Sequence, residues 1–222
     1  MNDIKKIYKI LYREYDSQKW WPIFNDKKRI FEYKIDTPIN EKECFEIIIG
    51  TILTQNTSWT NVEKAIDNLI KNNVLDAEKI IKINKNKLAS LIKSSGYYNQ
   101  KAERLKVIAR FFLNNKDPNR EELLNLKGVG KETADSILLY AYNKPYFVVD
   151  AYTKRIMNRI GFKEESYDEL QELFYKNLEK DYRLFNEFHA LLVRLAKENC
   201  KKTPVCINCC LKEKCRFKNK SI

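Results

Sequence analysis

Glycine and proline are scarce in this sequence, with five of each among 222 residues. Both punctuate loops and turns, so their scarcity beside long amphipathic runs argues for an all-α chain. No stretch of about 18 apolar residues occurs, which excludes a membrane-spanning helix. The opening Met1-Asn2-Asp3-Ile4-Lys5-Lys6 lacks the apolar centre of a secretory signal, so the expected location is intracellular. No Gly/Ser-rich linker, internal repeat or low-complexity tract divides the chain. What is abundant is positive charge: 42 Lys and Arg against 30 Asp and Glu, a net +12. Such an excess favours polyanions, although the lysines are spread widely and a solubility charge is the plain reading. The length allows one large domain or two small lobes, each with its own core.

Apolar residues recur at helical spacing along most of the chain. Ile4, Ile7, Leu11 and Tyr12 mark an opening helix. Cys44, Phe45, Ile48, Ile49 and Ile52 mark one apolar over much of its surface and hence deeply buried, with Cys44 in the core. Thr60 and Glu63 form a candidate capping box before Val62, Ala65, Ile66, Leu69 and Ile70. Leu88, Leu91 and Ile92 form a short helix ending near Gly96, and Leu105, Ile108, Ala109 and Phe112 the next. Asn119 with Glu122, and Ser166 with Glu169, are further capping boxes. Phe185, Phe188, Leu192 and Leu195 give the last long helix, and its His189 reads as a packing or polar-network residue. Tyr146-Phe147-Val148-Val149 is the one strand-like run; it has no evident partner and reads as an extended connector.

The segment from Glu122 to Asp135 reads as helix, tight turn, helix. Its Leu126-Lys127-Gly128-Val129-Gly130-Lys131 core places two glycines where backbone angles are unusual and amides are left uncovered. Those amides, the N-terminus of the following helix, Lys127 and Lys131 suit an anion such as a DNA phosphate. A plain helix connection could use the same Gly-Val-Gly turn. The order Leu-Lys-Gly-Val-Gly-Lys-x-Thr-Ala, then Val148-Val149-Asp150, then Arg155 and Arg159, is more specific.

With those motifs the chain resembles the endonuclease III superfamily of helix-hairpin-helix DNA glycosylases, from about Phe45 to Cys215. The resemblance implies two helical lobes, residues 34–144 and residues 1–33 plus 145–222, with damaged double-stranded DNA bound across their cleft by a monomer. It implies that Asp150 stabilises the cationic sugar as the base leaves and orients or deprotonates water. The simpler role for Asp150 is N-cap of a helix beginning near Ala151, and one residue can serve both.

Bifunctional members carry a lysine two residues after the second glycine, where its amine attacks the sugar. Glu132 stands at that catalytic position here, and a carboxylate cannot form an imine. Lys131 is adjacent, but one step along a helix turns a side chain by about 100°. The expectation is therefore a glycosylase that leaves an abasic site. Glu132 is otherwise an acid that complements the helix dipole.

The Leu53-Thr54-Gln55-Asn56-Thr57 run resembles the family segment whose glutamine enters the gap left by a flipped base, which makes Gln55 the candidate. It also reads as a helix-terminal polar residue. Trp20-Trp21-Pro22 and Trp59 resemble the 3-methyladenine branch, where aromatic rings sandwich the extruded base. Electron-rich rings attract cationic alkylated purines. Packing between lobes is the plain alternative for Trp20, Trp21 and Trp59.

Four cysteines within 16 residues, Cys200-x5-Cys206-x2-Cys209-x5-Cys215, point to metal in an intracellular protein. The family carries a C-terminal [4Fe–4S] cluster on four such residues, commonly with one more residue in the first gap. Zinc is the alternative, since it also accepts four thiolates. Cys210 adjoins a ligand, but the spacing favours Cys209. Three other functions stay open on these residues: a glycosylase with lyase activity, a non-catalytic DNA-binding module, and a redox iron–sulfur protein.

Overall fold

The computed structural model describes residues 3–34, 38 and 40–217. In chain order its elements are α1 (Asp3–Tyr15), β1 (Pro22–Asn25), β2 (Ile30–Tyr33), α2 (Glu41–Thr54), α3 (Trp59–Lys71), α4 (Ala77–Lys82), α5 (Lys85–Leu91), α6 (Tyr98–Asn114), α7 (Arg120–Leu124), α8 (Lys131–Ser136), α9 (Ala151–Ile160), α10 (Tyr167–Asn177) and α11 (Tyr182–Glu198). They form two compact units: residues 21–143, and residues 1–20 with 144–222.

In the unit of residues 21–143, α2 is the central helix. Cys44 through Leu53 are all buried, with α3, α6, α8 and β1 packed around them. Short helices α4 and α5 pack on α6. α8 continues as a wider π-helical stretch over Ile137–Ala141, wholly buried. Two buried polar groups are held by backbone. Lys101 is 1% exposed, and its Nζ donates to the carbonyls of Leu53 at 2.8 Å and Ser95 at 2.6 Å. Glu46 accepts from the Phe24 amide at 2.7 Å, which ties β1 to α2. Burial pushes its carboxyl up to about 7.

In the other unit, α1 lays Ile4, Ile7 and Leu11 against α11, and α9 packs on α11 as well. Phe147 stacks on Phe174 at 3.6 Å between ring centroids, with Phe185 and Phe188 edge-on to it. Among the described residues, the segment Tyr146–Val149 is a connector that pairs with no strand. Its Phe147 carbonyl accepts from Gln171 at 2.7 Å.

Three expectations change. The one sheet of the described residues is an antiparallel hairpin, with Pro22 paired to Tyr33 and Asn25 to Ile30, whereas the sequence offers Tyr146–Val149 as the one strand-like run. Residues 21–33, expected with the second lobe, belong to the unit of α2–α8. Thr60 and Glu63 do not cap α3, which starts at Trp59 after Ser58. The boxes at Asn119/Glu122 and Ser166/Glu169 are both formed.

Candidate functional site

The turn between α7 and α8 is built from apolar anchors and one constrained glycine. Leu123 and Val129 are buried, and the Val129 amide closes on the Leu126 carbonyl at 3.1 Å. Gly128 has φ +87°, a left-handed conformation that costs other residues about 1–2 kcal/mol. Gly130 differs from expectation: its backbone is extended, and a Cβ there would meet nothing within 4 Å. Its contribution is to precede α8 without offering a side-chain cap. Lys127, Lys131 and Glu132 are exposed around the turn, Glu132 in the first turn of α8.

Two features of the hairpin were not apparent from sequence. Arg120 on α7 forks onto the fully buried carboxylate of Asp135 on α8, at 2.6 and 3.0 Å, and so holds the two helices together. Gln55, at the C-cap of α2, binds the turn itself. Its Nε2 donates to the Gly128 carbonyl at 3.1 Å and to Thr133 Oγ1 at 2.9 Å, while its Oε1 accepts from Arg104.

Among the tryptophans, Trp21 and Trp59 meet edge to face at 5.2 Å. Tyr140 lies 5.2 Å from Trp21, and Phe31 lies 5.9 Å from Trp59. Gly50 makes room for this cluster, since a Cβ there would stand 3.0 Å from the Trp21 ring. Trp21 is buried and Trp59 half-buried. Trp20 belongs to the other unit, with the Lys197 ammonium 5.9 Å from its ring. Tyr97, which sequence reasoning passed over, is 66% exposed and holds a left-handed backbone at φ +45° before α6. Non-glycine residues in that region are sparse and are held there by their surroundings.

In the other unit Asp150 is the N-cap of α9. Its Oδ1 accepts from the Thr153 amide at 2.7 Å, and its Oδ2 lies 3.7 Å from His189 Nε2 on α11. The two side chains are only 15% and 10% exposed. Burial opposes ionisation of Asp150, but the His189 ring and Thr153 outweigh it and hold the carboxyl below its usual range. A desolvated, ionised carboxylate with fixed rotation can stabilise developing positive charge or accept a proton from water.

α9 runs from this carboxylate to the cysteine-bearing segment. Arg155 Nε donates to the Cys200 carbonyl at 2.8 Å, and Arg159 donates to the carbonyls of Lys201 at 2.7 Å and Lys202 at 2.8 Å. Arg159 also lies 3.3 Å from Cys200 Sγ. Burial raises the Cys209 thiol, and Cys200, Cys206 and Cys215 are the neighbouring sulfurs that raise it further. Cys210 turns instead towards Tyr15, and burial pushes its thiol up to about 11. Among the described residues, no group of three or more His, Cys, Asp or Glu is drawn together at metal-holding distance. Cys209, with Cys200, Cys206 and Cys215 as its charged neighbours and Cys210 turned away, offers the donor chemistry of a thiolate-held cluster. Cys44 is buried in α2, as expected, and its thiol is pushed up to about 12.

The chain belongs to the HhH-GPD superfamily of base excision DNA repair proteins, whose model matches residues 49–180. A Methanocaldococcus jannaschii protein, named provisionally as a DNA repair glycosylase, is 44% identical over 97% of this chain and 96% of its own. An endonuclease III of Thermotoga maritima is 36% identical over 81% of this chain and 87% of its own. Among solved structures, the Helicobacter pylori 3-methyladenine DNA glycosylase bound to 1,N6-ethenoadenine is 31% identical. It aligns with a TM-score of 0.70 over 88% of this chain and 96% of that one. The helical fold and the DNA glycosylase class follow from this membership. No helix among the described residues is long and apolar enough to cross a membrane.

Proposed function

We propose that this protein is a monofunctional DNA N-glycosylase that releases an alkylated base, of the 3-methyladenine type, from duplex DNA and leaves an abasic site. The observation that carries the reading is Asp150, a carboxylate held below its usual range with Oδ1 bound by the Thr153 amide. Such a group stabilises an oxocarbenium-like sugar as the base departs and orients or deprotonates the water that replaces it. Glu132, exposed on α8, has no amine with which to form a Schiff base, so release ends at hydrolysis.

The target base leaves the stack to be reached. Trp20, Trp21 and Trp59 are the proposed pocket residues, with the Trp21–Trp59 edge contact supporting the aromatic part of it. A cationic methylpurine is attracted by such rings, which favours alkylation damage. The likeness to a 3-methyladenine glycosylase supports the same substrate class. Lys127, Gly128, Gly130 and Lys131 hold the DNA backbone, and Gln55 stands against the hairpin turn, from which it would have to detach to enter the duplex. Cys200, Cys206, Cys209 and Cys215 would hold a [4Fe–4S] cluster, and the basic loop of Lys212, Lys214 and Arg216 would then be ordered for phosphate contact. Zinc in the same thiolates is the alternative, separated by assay of iron and acid-labile sulfide in the purified protein. The protein acts as an intracellular monomer associated with DNA.

The test is incubation with duplex DNA treated with a methylating agent. The expected result is release of methylated bases and no covalent protein–DNA complex when borohydride is present. Absence of release, with activity on uracil, thymine glycol or a mismatch instead, overturns the substrate class. A second reading, a glycosylase with abasic-site lyase activity, draws on the similarity to endonuclease III and needs an amine such as Lys131. A borohydride-trapped complex that disappears in Lys131→Ala would establish it.

A further inference from the structure

The sole histidine of the chain faces the proposed catalytic carboxylate. Asp150 has two oxygens with different duties. Oδ1 is committed to the Thr153 amide as the N-cap of α9. Oδ2 lies 3.7 Å from His189 Nε2, within reach of an ion pair and slightly beyond a hydrogen bond. His189 sits on α11 with its side chain only 10% exposed, so the ring has little freedom to leave. The other charged groups on the elements packed here are directed elsewhere. Arg155 donates to the Cys200 carbonyl, Glu187 accepts from Ser17 and the Gln18 amide, and Lys154 is exposed.

We propose that His189 is the positioning residue of Asp150, holding the carboxylate ionised and fixing the rotation in which it meets the sugar. The physical argument is that burial alone would drive a carboxyl towards its neutral form, which can neither stabilise a cationic sugar nor accept a proton. Thr153 supports the carboxylate from within α9, and His189 is the group from another helix that faces its second oxygen. The imidazole acts through Asp150 and does not itself need to reach the sugar. The proposal rests on the reading of Asp150 as the catalytic carboxylate, and its test separates the two.

Because there is one histidine, the ring nitrogens give unambiguous 15N signals. At neutral pH the Nε2 signal should shift in Asp150→Asn by much more than the Nδ1 signal, since asparagine keeps the cap on α9 but removes the charge. An unchanged Nε2 signal overturns the proposal, and the measurement needs no substrate. In single-turnover release of methylated bases, His189→Leu should slow the reaction by about tenfold or more at pH 7, a loss typical of a disturbed general base. The acidic limb of the pH profile should move up, because a hydrogen-bond donor facing the ionised carboxylate is lost. His189→Gln, which keeps a donor at similar reach, should restore much of the rate. Wild-type rate and profile in His189→Leu overturn the proposal. If His189→Leu folds poorly, the glutamine variant decides, since wild-type stability with an uncorrected rate and limb also overturns it. Asp150→Asn with undiminished release would instead overturn the catalytic reading of Asp150 itself.

Discussion

The N-termini of α8 and α9 treat the same unsatisfied amides in opposite ways. α8 begins at Gly130, which supplies no side-chain cap, and its first turn is flanked by the exposed Lys127 and Lys131. α9 begins at Asp150, whose carboxylate accepts from the Thr153 amide and is 15% exposed. A helix N-terminus attracts negative charge in both cases. At α8 the first turn is left accessible to an external anion. At α9 the protein provides its own anion, which is also the proposed catalytic carboxylate. The difference lies in one side chain at the cap, present or absent, and it separates the proposed binding element from the proposed catalytic one.

The largest expected effect comes from removing the charge at the second helix. Asp150→Asn retains a capping oxygen, so unfolding should change little while base release falls by about a hundredfold or more, measured in single turnover. DNA affinity should persist, and a parallel loss of affinity would mean that the two helix starts are not separate in function.

Next is the support of the first helix. Arg120→Ala leaves the Asp135 carboxylate buried and without its guanidinium, a loss of about 3–5 kcal/mol in urea unfolding. A small change would show that the pair is not what joins α7 to α8.

The two glycines of the turn provide a finer contrast. Gly128→Ala should cost about 1–2 kcal/mol, because φ is +87° there and Arg104 lies where a Cβ would go. Gly130→Ala should leave stability near wild type, since its backbone is extended and the space is open. Equal effects at both positions would remove the distinction between a conformational glycine and one that merely leaves the helix start uncapped.

The smallest effect compares two buried carboxyls. The folded-state value of Asp150 is lowered, so its contribution is present above the unfolded value of about 3.9 and is lost as pH falls through the folded one. Glu46 is raised to about 7, so its contribution is present below about 4.3 and is lost as pH rises through about 7. Glu46→Gln should therefore gain stability over wild type at pH 8 and little at pH 5, read from urea midpoints. An identical difference at both pH values would mean that Glu46 does not titrate across this range.

Local signals were legible where neighbours in sequence are neighbours in space. The boxes at Asn119/Glu122 and Ser166/Glu169 span three residues and form as expected. Thr60/Glu63 has the same spelling but lies inside a helix that Ser58 already precedes, so the pattern alone could not locate the start. The β-hairpin was missed because its strands are four residues each and Arg29, rather than glycine, takes the left-handed turn position. Paired Ile/Phe/Tyr runs around Asn25–Arg29 were the available signal.

The feature determined by sequence alone is the hairpin followed by an aspartate at a helix start. Gly128, Val129, Gly130 and Asp150 act through their own backbone and the next turn, and such short-range chemistry travels with the residue string. Tertiary structure decided what surrounds those residues. Gln55 reaches Gly128 across 73 residues, Arg120 reaches Asp135 across 15, and His189 comes to Asp150 from another helix altogether. Packing of α2, α7 and α8 in one unit, and of α9 and α11 in the other, makes these contacts, and no period or spacing encodes them. The identity of the proposed catalytic carboxylate was written in its neighbours; its charge and rotation depend on a histidine that only folding brings near.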